Sequence, residues 1–338
     1  MARRIGKQSI LLNNPVFVSN SFTCAGIKEC NGPLGKCFDV HVPDDKWGED
    51  SFEKCERKMF GCVMHGCAKC AGVKLDDIDA VLSGDLLNQT ISASFSALDF
   101  GGSYIGLYGA CSTMAESLAL ASCLIDAGAI SNAICLTGSH FCTAERQYRM
   151  PLDMGTQKTP TSQMTVTGVG GAYIGGNDTG AAINAVTFGR VIDMGIKDAN
   201  NMGAAMAPAA ADTINAHVLA RNRKLEDYDA VITGDLGKLG VELLCKLLSQ
   251  YGYNVKNNII DCGCLIYSED QDPHMGGSGC GCSAIVLNGF FLPKIKTGEY
   301  KRVLFVATGA LLSTTSSMQG ENIPSIAHAI EIIYTGGC

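Results

Sequence analysis

Charge is sparse in this chain. Only 17% of its 338 residues are charged, against 46% hydrophobic, and mean hydropathy is +0.15. Disorder requires the opposite balance and is excluded for most of the sequence. No basic run occurs. The 26 Lys and Arg stand against 33 Asp and Glu, for a net charge of −7 and a pI near 5.4, which argues against a nucleic-acid partner. No apolar run reaches the roughly 18 to 20 residues of a membrane-spanning helix. The basic start at Arg3, Arg4 and Lys7 leads into no continuous apolar core, so a signal peptide is not expected. Proline is scarce, with 9 residues against 40 glycines. Glycine in excess without proline or low complexity indicates close backbone packing and tight strand-to-helix turns, not a flexible linker.

Cysteine is abundant, at 17 residues. Without a secretory context a disulfide framework is not expected. Most of the thiols sit in apolar runs, among them Cys123, Cys135 and Cys245, where they act as small hydrophobes. Cys62, His65, Cys67 and Cys70 have metal-like spacing. No second Cys-x-x-Cys completes a zinc site, however, and the same stretch reads as a helix capped by Ser51 with Phe52, Cys55, Met59, Cys62, Val63 and Cys67 near one face. No metal site is expected there.

The chain repeats itself. Ile78-Asp-Ala-Val-Leu-Ser-Gly-Asp-Leu86 returns 150 positions later as Tyr228-Asp-Ala-Val-Ile-Thr-Gly-Asp-Leu236. Ala133-Ile-Cys-Leu-Thr-Gly138 is echoed by Leu304-Phe-Val-Ala-Thr-Gly309, and Gly168-Val-Gly-Gly-Ala-Tyr-Ile174 by Gly279-Cys-Gly-Cys-Ser-Ala-Ile-Val-Leu287. A tandem duplication follows, with halves at residues 1–178 and 179–338, too few copies for a solenoid. Short β-branched strands at Ala80–Leu82, Ala133–Leu136, Ala230–Ile232 and Val303–Ala307 alternate with helical stretches, clearest at Ser112–Ala127 and Gly240–Tyr251. An α/β sandwich with mostly covered sheets is expected.

Tyr108-Gly-Ala-Cys111-Ser112-Thr-Met-Ala-Glu116 leads into an apolar helix. Small residues permit a sharp bend. A cysteine at a helix N-terminus meets free N–H groups and the positive dipole end, which favour a thiolate or hold an anion. The turn therefore reads as a nucleophile, as half of an anion pocket, or as a buried structural thiol.

Gly109-Ala-Cys-Ser112 resembles the nucleophile turn of the thiolase and ketoacyl synthase superfamily. Gly276-Gly-Ser278-Gly-Cys-Gly281 resembles its C-terminal glycine loop, and Val303–Gly309 its final core strand. Within that superfamily the chain is similar to the stage V sporulation protein AD family. That similarity rests on Gly84–Gln89, Gly109–Thr113, Ser139–Arg149, Met206–Ile214, Asp261–Tyr267, Ala307–Ser313 and Ile323–His328. The resemblance implies a five-layered αβαβα fold with an internal pseudo-twofold duplication, usually a homodimer. It implies a role in moving dipicolinic acid (pyridine-2,6-dicarboxylic acid) into the forespore, by binding rather than by condensation. It also implies a peripheral position on the cytoplasmic side of the spore inner membrane, docked on integral membrane proteins of the stage V sporulation protein A complex.

A condensing enzyme of this superfamily needs two further polar groups, His with His or His with Asn, for the thioester oxygen and the protons. Where the ketoacyl synthase pattern places one His, this chain reads Thr233-Gly-Asp235-Leu-Gly237. Where thiolases place the other, His274 stands about one residue out of register. An acidic Asp235 would repel a developing oxyanion. The site reads as degenerate, with Cys111 a vestigial nucleophile and no cofactor expected.

A planar dicarboxylate wants guanidinium contacts, N–H donors and a flat wall. In the resembling fold the strand ending at Thr137 finishes near the cysteine turn. Arg146 and Arg149 are then the expected clamps, three apart on one helical face, with His140 a donor and Tyr148 a stacking ring. Cys111 and Ser112 offer the helix N-terminus. Glu145, Asn88, Asp235 and Ser278 complete the expected lining. The alternatives are a surface ion pair for the arginines, a satisfied core histidine for His140, and helix caps for Asp85 and Asn88. Asp193 and Asp212 read as turn and cap residues. Acidic clusters at Asp44-Asp45, Asp76-Asp77-Asp79 and Glu269-Asp270-Asp272 lack EF-hand spacing, so no protein-held calcium site is expected. The resemblance implies a ligand stored as its calcium chelate, and both the free acid and the chelate stay open as the bound form. Two other readings remain: a Cys111-dependent acyltransferase acting on acyl thioesters, and a structural subunit without ligand.

Overall fold

Ser51 starts the first long helix. Its hydroxyl accepts the Lys54 N–H at 3.3 Å, a cap worth about 1 kcal/mol, and Gly72 ends the helix at φ 69°. The structure, a computed structural model, describes residues 3–148, 159–176, 179–255 and 258–336. The principal elements of the first half are β1 (Ser9–Ala25), α1 (Phe52–Ala71), β2 (Ala80–Gly84), α2 (Ile91–Ser96), β3 (Ser103–Gly106), α3 (Thr113–Asp126), β4 (Asn132–Ser139), α4 (Phe141–Tyr148) and β5 (Gly168–Gly175). Those of the second are β6 (Gly180–Phe188), α5 (Met202–Arg221), β7 (Ala230–Thr233), α6 (Gly237–Gln250), β8 (Ile259–Asp261), α7 (Cys280–Val286), α8 (Leu292–Lys296), β9 (Arg302–Ala310) and β10 (Ser325–Thr335). A π-helical turn, Leu287–Phe291, joins α7 to α8.

The strands run β3-β2-β4-β5-β1 in one half and β8-β7-β9-β10-β6 in the other. Directions match as well. In each half the first two pairings are parallel, and the next two antiparallel. Each strand of the first half thus has its counterpart five strands on, and this is the internal pseudo-twofold duplication. β1 serves both sheets: Ser9–Phe17 pairs with β6, and Val18–Ala25 with β5.

Five layers follow from where the apolar faces go. α1 packs on the outer face of the first sheet, where Met59, Phe60, Val63 and Cys67 are buried against Val81, Ile134 and Val169. α5 covers the second sheet through Met206, Ile214 and Val218. α3 and α7 lie between the two sheets, with Met114, Leu118 and Ile285 in one continuous core with residues of both. A sheet buried on both faces needs no polar alternation, which explains the unbroken apolar runs of β2, β4, β7 and β9.

Two sequence echoes mark equivalent strands, β2 with β7 and β4 with β9. The third is a correction. Gly168–Ile174 lies in β5, whereas Cys280–Val286 is α7, and the counterpart of β5 is β10. The two segments resemble one another because they touch. A Cβ on Gly170 would fall 2.4 Å from the Ala284 carbonyl, and one on Gly281 2.4 Å from the Gly168 carbonyl, so close approach demands glycine on both. Asp212 is corrected too. It lies inside α5 and pairs with Arg190, while Asp193 is the turn residue expected, accepting the Gly195 N–H at 2.8 Å. The Cys62–Cys70 stretch is helical, with Cys67 buried and His65 and Cys70 exposed, so its side chains diverge around α1. Among the described residues no group of three or more His, Cys, Asp or Glu is placed to hold a metal ion, and no helix is long and apolar enough to cross a membrane.

Candidate functional site

The cysteine turn is tightly seated. Ala110 takes a left-handed backbone, φ 50°, costing about 1–2 kcal/mol for a residue with a Cβ. Neighbours hold it there. The Ala110 carbonyl accepts from Thr113 Oγ1 at 2.7 Å and from the Cys280 thiol at 3.0 Å. Gly309 of β9 presses on the turn so closely that a Cβ would lie 2.2 Å from the Gly109 carbonyl. Cys111 is left half-buried, at the point where α3 and α7 begin.

Asp235 faces it from the loop after β7. The carboxyl accepts the Gly279 N–H at 2.9 Å and the Thr308 hydroxyl at 3.2 Å, and lies in hydrogen-bonding reach of the Cys111 thiol. The Asp235 carbonyl accepts Gln163 Nε2 at 2.8 Å. Buried Asp261 fixes the loop by accepting the Leu236 and Gly237 N–H groups at 2.9 and 3.1 Å. Burial pushes the Asp235 carboxyl up to about 7.

The expectation of a favoured thiolate is overturned. The bond to Cys280, burial and the nearby Asp235 carboxyl together push the Cys111 thiol well above its ordinary range. The turn also spends its donors internally: Ser112 gives its hydroxyl to the Gly109 carbonyl at 2.6 Å and its N–H to the same oxygen at 3.1 Å. Ser112 is therefore committed to the bend and is not a ligand donor.

The ring of residues expected around Cys111 is only partly brought together. Arg146 pairs with Glu53 of α1 at 2.8 Å, over the Phe52 ring, with its side chain 48% exposed; it is a surface ion pair and not a clamp. Arg149 lies outside the described residues. His140 is fully buried and satisfied. Its Nδ1 accepts the Cys142 N–H at 3.1 Å, which places the proton on Nε2, facing the Asp45 carbonyl at 2.9 Å. It is a core histidine, held neutral by burial. Tyr148 donates to the Leu86 carbonyl at 2.6 Å, and burial raises its hydroxyl to about 12. Glu145 is half-buried on α4. Asn88 is exposed, its backbone N–H given to Gln147 at 3.0 Å, and Asp85 accepts the Leu87 and Ala93 N–H groups at 2.7 Å, as a cap would. Ser278 is half-buried beside Gly279. His274 bonds the Thr159 carbonyl through Nδ1 at 2.9 Å and stands 3.7 Å from Asp272. Its two ring nitrogens thus face Thr159 and Asp272.

Sequence reasoning missed Cys280 and Thr308 as members of the site. Both lie in stretches already quoted. Pairing the halves by helix rather than by glycine pattern would have set Cys280, opening α7, opposite Cys111. The assembled centre holds two thiols and one carboxyl, and no imidazole among the groups bonded there.

Comparison with known proteins agrees with this scaffold. The sequence model of the family described as Stage V sporulation protein AD (SpoVAD) matches residues 6–333. The Stage V sporulation protein AD of Bacillus subtilis (strain 168) is 42% identical over 332 residues, covering 98% of each chain. Among solved structures, OleA of Xanthomonas campestris superposes with a TM-score of 0.62 at 12% identity, covering 96% of this chain and 99% of that one. The 3-oxoacyl-[acyl-carrier-protein] synthase III of Aquifex aeolicus VF5 gives 0.54 at 13%, covering 99% and 100%. At such identities these two establish the thiolase-like fold alone.

Proposed function

The chain belongs to the stage V sporulation protein AD family, and from that premise we propose that it is a non-catalytic, dipicolinate-binding component of the membrane machinery that moves dipicolinate during sporulation. The observation that carries the non-catalytic part is Asp235. A condensing site of this superfamily pairs its thiol with an imidazole that manages protons and a second N–H donor. Here one carboxyl, accepting from Gly279 and Thr308, stands beside the thiol, and no imidazole is among the groups bonded there. Raised to about 7, that carboxyl is substantially protonated near neutrality and able to give a hydrogen bond to a carboxylate. In this reading Cys111, Asp235, Tyr148 and Ser278 line the ligand site. Because Arg146 is engaged by Glu53, the reading relies on Arg149 for its guanidinium.

A homodimer fits the apolar side chains that Ile91, Phe95, Leu98 and Tyr108 expose around edge strand β3. With no spanning helix among the described residues, docking on integral proteins of the stage V sporulation protein A complex would place the chain peripherally, on the cytoplasmic side of the forespore inner membrane.

Isothermal titration calorimetry with dipicolinate tests the reading, run with and without calcium and with benzoate as the monocarboxylate control. Saturable heat with dipicolinate and none with benzoate is expected; no heat in either calcium condition overturns it. The second reading, an acyltransferase, is favoured by one observation: Asp235 is placed to take the Cys111 proton. Acyl-thioester labelling that vanishes in Cys111→Ser would support it.

A further inference from the structure

The pseudo-twofold axis brings two equivalent cysteines together. Cys111 precedes α3, which follows edge strand β3; Cys280 opens α7, which comes after the equivalent edge strand β8. The Cys280 sulfur lies 3.0 Å from the carbonyl of Ala110, the residue joined to Cys111, and within hydrogen-bonding reach of the Cys111 sulfur. We propose that Cys111 and Cys280 form a redox-active dithiol, a modification site whose oxidant is a small-molecule disulfide and whose product is an intramolecular disulfide between the two helix starts.

Exposure assigns the two roles. Cys111 is half-buried as a residue, whereas Cys280 is fully buried, so of two enclosed thiols Cys111 is the nearer to solvent and the one an incoming disulfide meets first. The Cys111 thiolate attacks one sulfur of the oxidant, RSSR, forming a protein–SR mixed disulfide and releasing RS⁻. Cys280 then attacks the Cys111 sulfur, forming the internal bond and expelling the second RS⁻. Two thiols are oxidised, one disulfide is reduced to two thiols, and the protons pass to the released thiolates. Asp235, in reach of Cys111, is the local group able to accept the thiol proton before the first attack. A high thiol pKa makes that attack slow at neutral pH and faster as pH rises.

A second pair of neighbouring thiols, Cys24 of β1 and Cys62 of α1, lies on the outer face of the first sheet, away from this centre. It gives the experiment an internal contrast. None of this requires that dipicolinate be the ligand.

The test treats the full chain with excess glutathione disulfide, quenches in acid, alkylates the remaining thiols and maps peptides by mass. Wild type is expected to yield a Cys111–Cys280 cross-linked peptide, lighter by two hydrogens and restored by reductant. Cys280→Ser should stall with glutathione on Cys111, and Cys111→Ser should carry neither product. Circular dichroism checks that both variants fold. The proposal is overturned if wild type accumulates the stable Cys111 adduct without the cross-link. It is equally overturned if oxidation is confined to Cys24–Cys62 or to the exposed Cys70 while Cys111 and Cys280 are recovered alkylated.

Discussion

Cys111 and Asp235, 124 positions apart in the chain, sit in hydrogen-bonding reach of one another. The contact joins the two halves of the chain, from the turn before α3 to the loop after β7. The effect runs one way: the carboxyl helps to raise the thiol, whereas burial, opposed by the bond to the thiol, holds the carboxyl up to about 7.

Ligand affinity should therefore follow the protonation of Asp235. The folded-state pKa lies above the ordinary carboxyl value, so the neutral acid persists up to about 7 and is lost as pH rises through it. Dipicolinate keeps its two charges across that window. Affinity is expected to fall roughly tenfold, about 1.4 kcal/mol, between about pH 6 and about pH 8. Asp235→Asn should flatten the dependence. Calorimetry at several pH values reads it directly, and an unchanged slope in the Asn variant would remove Asp235 from the site.

Arg146→Ala should change dipicolinate affinity by less than about twofold and cost at most about 1 kcal/mol of stability, as for an exposed ion pair. The partner is Glu53 at 2.8 Å, on the neighbouring helix. Calorimetry and urea unfolding measure the two effects, and a binding loss of tenfold or more would show that the ion pair opens to admit ligand.

Gly309→Ala should disturb the thiol turn from the strand behind it. A methyl there would meet the Gly109 carbonyl at 2.2 Å, and that oxygen also takes both bonds from Ser112. Overpacking of this kind costs about 1–3 kcal/mol. Urea unfolding should show the loss, together with weaker ligand binding; full retention of both would mean that the turn can retreat without cost.

Much of the fold was legible because its signals are local or repeated. Ser51, the apolar face through Met59 and Val63, and the echoing strands at Ala80 and Ala230 each carry their structure in a short stretch. The glycine echo misled because glycine records close approach as readily as common descent, and β5 and α7 meet at Gly170 and Gly281. The site was less legible. Arg146 and His140 carry chemistry suited to a carboxylate, yet Glu53 and Asp45 reach them first, and those partners lie some 95 positions away for each. Cys280 was overlooked for the converse reason: its neighbours in sequence are glycines, and its meaning comes from a thiol in the other half.

The long strand β1 has a consequence for how the chain is made. Ser9–Phe17 pairs with β6, which ends at Phe188, so on the ribosome the leading strand stays without that neighbour until more than half of the protein has been synthesised. During that interval Ile10, Leu11 and Val16 leave an apolar edge open on the side that β6 will fill, although Arg3 and Arg4 can already pair with Leu11 and Ile10 on the other. Slower translation ahead of β6, or a shortage of chaperone, should thus fall hardest on this protein's yield before it touches any property of the finished fold.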